Sequence, residues 1–453
     1  MENVINVVKE LNKIGKVFLV GGFVRDTLLD IPNKDIDFEV YGIPAEKLLH
    51  ELKKFGKAEL VGKQFGCFKL WVDGKDYDFS LPRTEEKEGK GHKGFKIESD
   101  CNMQYEIACK RRDITINSIL IDPLSLEFID PFNGMDDIKN KIIRHTSIHF
   151  NEDPLRVLRI ARFSAKLDWD VNEKTLQLCE EMVEEGKTLP EERIWGELKN
   201  TILSCKNISR FFNVLKETNW ISLFPSFEKL IGLEQNPKWH PEGDVWNHTL
   251  INMEKMIDIC NREYLSDDER IVLLISVMFH DIGKIITTTT KDDGKIISYG
   301  HSQVHEEFIF NAMDEFGIPK KIQVSCIPLI REHMIKASCS NNCSVRLVKR
   351  LAKRLLPQTI KNLCYVMEAD NNDKIHSSDF ITDLLKLSEE EGLLNGGPTQ
   401  IIMGKDLIKL GYKPGKEMGI ILKKIFSAQL DGCFHNYEDG IHWVVKHKKR
   451  LLQ

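Results

Sequence analysis

Two aspartates one residue apart, Asp35 and Asp37, stand thirteen residues after Gly22, the second glycine of VGGFVRD (20–26). On a strand, the period of two puts both carboxylates on one face and Ile36 and Phe38 on the other. Two carboxylates on one face repel each other unless a cation sits between them. Mg²⁺ takes hard oxygen ligands together with substrate phosphates. Two such ions ~3.5–4 Å apart can activate a hydroxyl and stabilise a leaving pyrophosphate. Asp78, on a later strand, can supply a third carboxylate; the plain alternative is an exposed strand residue. Gly22 lets the backbone pass close to a ligand, and the helix that follows offers free N–H groups to a phosphate.

Further along, KRRDITIN (110–117) brings Arg112, Asp113 and Asn117 together. Arginine binds phosphate bidentately, and Asp or Asn can hold ribose hydroxyls. In EDPLRVLRIARF (152–163), Asp153 and Arg156 are three residues apart, and Arg159 and Arg162 follow at the same step, so they share one helix side. A carboxylate and a guanidinium side by side present acceptors and donors that can pair with the edge of a base. The structural alternatives are an N-cap for Asp153 and a solvated face for the arginines. EERIWGELKN (191–200) reads as a brace between helices.

A third set is His248, then His280-Asp281 in MFHDIGK (278–284), then Asp370. Imidazoles and carboxylates are sound ligands for a divalent transition metal. His301 and His305, in GHSQVH, and His333 could line that site or bind a second ion. Taken singly, each histidine is more simply a packed or surface residue.

These residues need elements to position them. VFLV (17–20), DIDFEVY (35–41), CFKLWV (67–72) and YDFSL (77–81) read as strands, and TINSILID with LEFID (115–130) as a closing pair. GGFVRDTLLD reads as a turn into a short helix. The polar segment 83–100 reads as a mobile loop. From Asp153-Pro154, a helix start, the period becomes helical. NPKWHPEGD (236–244) is a polar break and the expected domain boundary. VRLVKRLAKRL (345–355) predicts a helix with Arg346, Lys349, Arg350, Lys353 and Arg354 on one face, either solvated or touching RNA. From Ile401 onward, ten Lys and Arg stand against five Asp and Glu, so this end is locally basic.

The chain of 453 residues allows two to four domains at ~100–200 residues each. At 42% apolar and 29% charged it matches a globular average, which excludes disordered and fibrous classes. No apolar run reaches the ~18 residues of a membrane span, and VFLVGGFV leads into no cleavage site. Eleven cysteines without a C-x-x-C pair predict reduced thiols and a cytoplasmic location rather than a disulfide framework. A net charge of −5 leaves nucleic-acid binding to local patches.

The glycine pair and DxD resemble the nucleotidyltransferase superfamily of DNA polymerase β. VGGFVRDTLL…DIDF, RRDITIN, EDPLRVLRIARF and EERIWGEL, in this order, resemble the motifs of class II tRNA nucleotidyltransferases, the CCA-adding enzymes and bacterial poly(A) polymerases. The resemblance implies an α/β head of the polymerase β type, followed by an all-α neck, HD domain and tail. It implies Mg²⁺ at Asp35 and Asp37, with nucleotide contacts from Gly22, Arg25, Arg112, Asp153, Arg156, Arg159 and Arg162. It also implies that Asp153 and Arg156 act as a template selecting CTP, then ATP. One departure is EIACK (106–110) before the R-R-D motif, where only Glu106 is acidic. The arginine-rich element and long basic tail of the poly(A) polymerases are missing.

The H…HD…D pattern resembles the HD phosphohydrolase domain, which implies Ni²⁺, Co²⁺ or Mn²⁺ at His248, His280, Asp281 and Asp370. The expected organisation is a head (1–148), a helical neck with the template motif (149–235), an HD domain (236–390) and a helical basic tail (391–453). The expected partners are tRNA, CTP and ATP, with no membrane. The expected activity is addition of CMP and AMP to the tRNA 3′ end. The rivals are an A-adding enzyme or poly(A) polymerase, a phosphohydrolase whose head mainly binds RNA, and a non-enzymatic tRNA binder.

Overall fold

The computed structural model describes residues 2–61, 66–87, 95–335, 343–371 and 377–451. The chain divides into two compact units, Met1–Pro225 and Ser226–Gln453.

The first unit carries a seven-stranded sheet. Its spatial order is Lys57–Val61, Cys67–Val72, Lys75–Ser80, Asp37–Tyr41, Lys16–Leu19, Leu120–Ile121 and Phe128–Ile129. The sheet is mixed: Asp37–Tyr41 runs antiparallel to Lys16–Leu19 and parallel to Lys75–Ser80. Alternation decides its faces. Phe38, Val40, Phe68, Leu70, Tyr77 and Phe79 point into a core closed by Val7, Leu11, Leu48 and Leu52 of two flanking helices. Truncating Phe79, fully buried there, would cost about 3–5 kcal/mol. The opposite face carries the polar residues of the same strands.

Segment 83–100, expected as a loop, instead holds two paired strands, Arg83–Lys87 and Phe95–Ser99; residues 88–94 lie outside the described chain. Backbone pairing in register from Arg83↔Ser99 to Lys87↔Phe95 makes a two-stranded ribbon although few residues are apolar. The helix after Asp153-Pro154 spans Leu155–Leu167, and the Leu155 N–H donates to Asp153 Oδ1 at 3.0 Å.

Among its described residues the second unit is helical apart from loops and the short strand pair Thr289–Thr290 and Ile296–Ile297. Phe227 packs edge to face on Trp246 and Phe316, Phe316 does the same on Phe279, and Phe279 lies tilted against Phe227. A capping box between Ser266 and Glu269 starts helix Asp267–Phe279. Toward the C-terminus, Ile402, Leu407, Ile421, Ile425 and Val444 form a separate small core. The division between units falls at Pro225, whereas the polar break at 236–244 lies inside the second unit. The reason is local: Gln235 and Glu242 hydrogen-bond to side chains of that unit's buried cluster, described below.

Candidate functional site

Strand register lays out the polar face of the head. Asp37 lies beside Asp78 on the parallel strand, and Asp78 lies opposite Lys69, so Lys69, Asp78 and Asp37 form one row across three strands. The next row is Cys67, Ser80 and Glu39. Burial, and after it the charge of Asp78, pushes the Asp37 carboxyl up to about 6. Asp35 is exposed and precedes the strand, with its N–H donating to Asn33 Oδ1 at 2.9 Å. The expected strand 35–41 thus begins at Asp37, because this Asn-led turn takes up the residues before it.

Gly21, beside Gly22, takes the left-handed conformation of this turn next to the row. Its φ is +70°, and a Cβ there would lie 3.4 Å from Arg112 Nη1 and 3.7 Å from Asp37 Oδ2. The helix Gly21–Leu28 that follows has no side-chain cap. A cavity of ≈ 390 Å³ opens on this face, lined by Asp37, Lys69, Asp78, Arg83, Arg111 and Arg112 among others. Glu39 was missed by sequence reasoning, although it continues the period of two from Asp35 and Asp37. It is fully buried and accepts from Tyr41 Oη at 2.8 Å, Arg111 Nη2 at 3.0 Å and Arg112 Nη2 at 3.4 Å. Burial raises its pKa, but Arg112 and Arg111 outweigh that and hold the carboxyl below its usual range.

A second network runs behind this face. Arg25 is buried; it pairs with Asp26 at 2.6 Å and donates to Asn117 Oδ1 at 2.7 Å. Asn117 donates to Asp113 Oδ1 at 2.9 Å, and Arg159 pairs with Asp113 Oδ2 at 2.6 Å. Arg162 pairs with Glu197 of helix Glu191–Ser204 at 2.5 Å. The guanidinium groups of Arg25, Arg159 and Arg162 lie 5.1, 5.5 and 4.4 Å from the centre of the Phe163 ring, a cation–π arrangement. Burial would raise the Asp113 carboxyl, but Arg159 and Asn117 hold it well down. Arg112 joins through the Asn117 carbonyl at 3.1 Å.

Asp153 and Arg156 do not stand side by side with free edges. Arg156 is buried and donates to the carbonyls of His149 and Arg111, both at 2.6 Å. Asp153 instead pairs with Arg193 at 2.9 Å, so EERIWGEL does brace the start of this helix. Nothing in the spacing within 152–163 could have shown Arg193, which is forty residues away.

In the second unit four helices and a turn converge. His248 lies on helix Val245–Arg262, His280 and Asp281 follow Asp267–Phe279, His333 follows Lys320–Glu332, and Asp370 ends Ile360–Asp370. His301 opens the turn His301–Gln303. His248 Nε2 is 2.9 Å from Asp370 Oδ1 and 3.3 Å from His280 Nε2, while His301 Nε2 is 3.1 Å from Asp281 Oδ1 and 3.2 Å from His333 Nε2. Within each of the sets His248/His280/Asp370 and Asp281/His301/His333, the ligand atoms lie within 4.8 Å of one another.

The other ring nitrogens are fixed. Nδ1 of His280, His301 and His333 meets the carbonyls of Val277, Ser298 and Ile330 at 2.6–2.8 Å, and His248 Nδ1 meets Glu242 Oε1 at 2.6 Å. A carbonyl can only accept, so Nε2 is the nitrogen left for a ligand in each of the first three, as in metal sites. Burial pulls the His280 imidazole down, but Asp281 and Asp370 outweigh it and push it up to about 10, whereas burial pulls His333 down to about 4. The donor set suits a transition metal. Beside the expected residues, the structure adds Glu242, His240 (3.1 Å from Glu242) and buried Lys284 (2.6 Å from Asp281). His305 points away, with its side chain 84% exposed. A cavity of ≈ 540 Å³ opens onto Asp281, His301, His333 and Asp370.

The cations of the basic helix Val345–Leu355 each have a partner, five of them against three carboxylates. Arg346 and Arg350 share Asp431, Lys349 pairs with Glu391, Arg354 with Glu332, and Lys353 lies over the Phe426 ring.

Residues 17–144 match the family described as the poly A polymerase head domain. The whole chain resembles solved CCA-adding enzymes in fold. The Bacillus stearothermophilus enzyme in complex with CTP aligns at TM-score 0.67 and 19% identity, over 99% of this chain and 98% of that one. The Thermotoga maritima enzyme complexed with tRNA aligns at TM-score 0.61 and 22% identity, over 99% and 96%. Fold and site together define a polymerase β-type nucleotidyltransferase head followed by a helical region. The "Multifunctional CCA protein" of Psychromonas ingrahamii is 37% identical over 325 residues, 70% of this chain and 74% of its own. That of Acinetobacter baumannii (strain AYE) is 31% identical over 376 residues, 80% and 86%. The chain belongs to this family of multifunctional CCA proteins. No described helix is long and apolar enough to cross a membrane.

Proposed function

We propose that this chain builds and repairs the CCA terminus of tRNA, adding CMP and AMP from CTP and ATP and releasing pyrophosphate. The observation that carries this reading is the row of Asp37 and Asp78 set against the Gly21 turn and Arg112. Hard oxygens and a raised Asp37 carboxyl fit a divalent cation, and Asp35, Asp37 and Asp78 are the residues to hold Mg²⁺. Bound there, Mg²⁺ supplies Lewis acidity to the 3′-hydroxyl and the triphosphate. The chain's own groups do the rest. The uncapped helix at Gly21 and Gly22 and the Arg112 guanidinium receive phosphates. Asp113 and Asn117, locked together and to Arg25 and Arg159, hold the ribose side rigid. We assign Asp153 to the base edge, with Arg193 as its donor partner, Arg156 anchoring the turn and Arg162 tied to Glu197. We assign the head to 1–148 and the neck from 149 to the end of the first unit at Pro225, with the HD domain and the tail (391–453) in the second unit.

The test is incubation of a tRNA lacking its 3′ end with CTP, ATP or both. Incorporation of both, stopping after three nucleotides, supports the reading. Extension of a CC-ended tRNA by ATP alone indicates an A-adding enzyme, and long A tails a polymerase.

The histidine cluster favours a second activity in the same chain, hydrolysis of phosphoesters with Ni²⁺, Co²⁺ or Mn²⁺ at His248, His280, Asp281 and Asp370. The cavity beside it supports this. Assays on phosphomonoesters and 2′,3′-cyclic nucleotides with each metal test it; no hydrolysis with any metal leaves the cluster a structural support.

A further inference from the structure

The polar row of the head sheet does not end at the carboxylates. Lys69 extends it, directly opposite Asp78 on strand Cys67–Val72. The glycine turn lies at the other end: the Val20 N–H donates to the Asp37 carbonyl, and Gly21 approaches Asp37 Oδ2. The order across the face is therefore glycine turn, Asp37, Asp78, Lys69. An in-line transfer puts the attacking and leaving oxygens on opposite sides of the reacting phosphorus. The uncapped helix and Arg112 favour the polyphosphate at the glycine turn. The 3′-hydroxyl, with the RNA strand that bears it, then arrives from the Lys69 side.

Lys69 suits that task. Its Nζ is 2.7 Å from Asp76 Oδ2 and 3.4 Å from Asp78 Oδ1. The Asp76 side chain is 57% exposed, so that pair is screened by solvent and gives way readily to a phosphate. Two residues along the same face is Trp71, with the Lys57 ammonium 5.1 Å from its ring centre. A cation and an aromatic ring about 7 Å apart on one strand match the needs of a single-stranded RNA end, phosphate to the one and base to the other.

We propose that Lys69 binds the backbone phosphate of the acceptor RNA's terminal nucleotide and so sets the side from which the 3′ end approaches. This rests on nucleotidyl transfer at Asp37 as read above. In the step, the RNA 3′-oxygen bonds to the α-phosphorus as the bond to pyrophosphate breaks. The hydroxyl proton passes to solvent, and Lys69 gains and loses none.

The experiment uses the full chain with Lys69→Met, Lys69→Gln and Lys69→Arg. A tRNA ending before its CCA is bound without nucleotide over about 50–300 mM KCl, and KM is measured separately for this tRNA and for CTP. Lys69→Met and Lys69→Gln are expected to weaken RNA binding about fivefold and to lower the slope of log affinity against log salt by about 0.7, one single-strand phosphate contact. The KM for CTP should stay within about twofold, and Lys69→Arg should restore most of the RNA affinity. An unchanged RNA affinity and salt slope in both neutral variants overturns the proposal. So does a raised KM for CTP with RNA affinity intact, which would move Lys69 to the leaving-group side. Asp37→Ala separates the two layers: it should lose transfer yet keep the Lys69-dependent salt slope, and retained transfer would overturn the reading of the site instead.

Discussion

The head row and the histidine cluster are both places where like donors are gathered, yet they are built in opposite ways. In the head, the carboxylates lie on an open sheet face, with Asp35 exposed and the Asp78 side chain 53% exposed. Among the described residues no three such donors of the head converge within 4.8 Å, whereas the cluster holds three such sets, His240/Glu242/His248 among them. The cluster's histidines 248, 280 and 333 are buried, and each has its second nitrogen already hydrogen-bonded. A hard cation that arrives with a triphosphate needs oxygens that can adjust around it. A transition metal held by imidazoles needs ligands fixed beforehand. The difference in rigidity thus separates a site assembled with its substrate from one assembled with the fold.

The contrast breaks most sharply at the metal ligands. Asp37→Ala should lower nucleotide addition about a thousandfold or more, since a few kcal/mol of charge stabilisation is lost, while circular dichroism and tRNA binding stay near wild type. More than a few per cent residual transfer would remove the cation argument. Asp281→Ala should bring any metal-dependent hydrolysis to background and leave CCA addition within about twofold, read by running both assays on one preparation. Joint loss in a folded variant would show the two sites to be coupled.

Subtler effects sharpen it. Asp153→Ala should reduce discrimination among the four nucleotides by about 1–3 kcal/mol, roughly 5- to 150-fold, in competition incorporation assays. Arg193→Ala should shift the same ranking, because Arg193 holds the Asp153 carboxylate. If both keep the wild-type ranking and lose only thermal stability, Asp153 is a helix cap. Arg346→Ala should be smallest, under about 1 kcal/mol in urea unfolding with KM for tRNA unchanged, because that charge is already spent on Asp431.

Much of the fold was legible because its signals are local. The glycine pair, the alternation in 67–72 and 77–81 and the Asp-Pro helix start each act through neighbouring residues. The ribbon at 83–100 was misread because its polarity resembles a loop, whereas pairing runs through the backbone. The role of Glu39 was hidden because a third acid on a strand looks like one more exposed carboxylate until two arginines from 111–112 bury it.

Sequence alone determined the residue types and order of both sites, because a DxD leading into a strand or an HD at a helix end has its chemistry written in its own atoms. It determined the family too, through four motifs in one order. Tertiary structure decided which partners those atoms meet. It paired Asp153 with Arg193 instead of Arg156, set Lys69 next to Asp78, brought His301 and His333 to Asp281, and set three carboxylates, Asp431, Glu391 and Glu332, against the five cations of the basic helix. Each of these contacts joins residues on different elements, and their distances follow from strand register and helix packing rather than from any spacing along the chain.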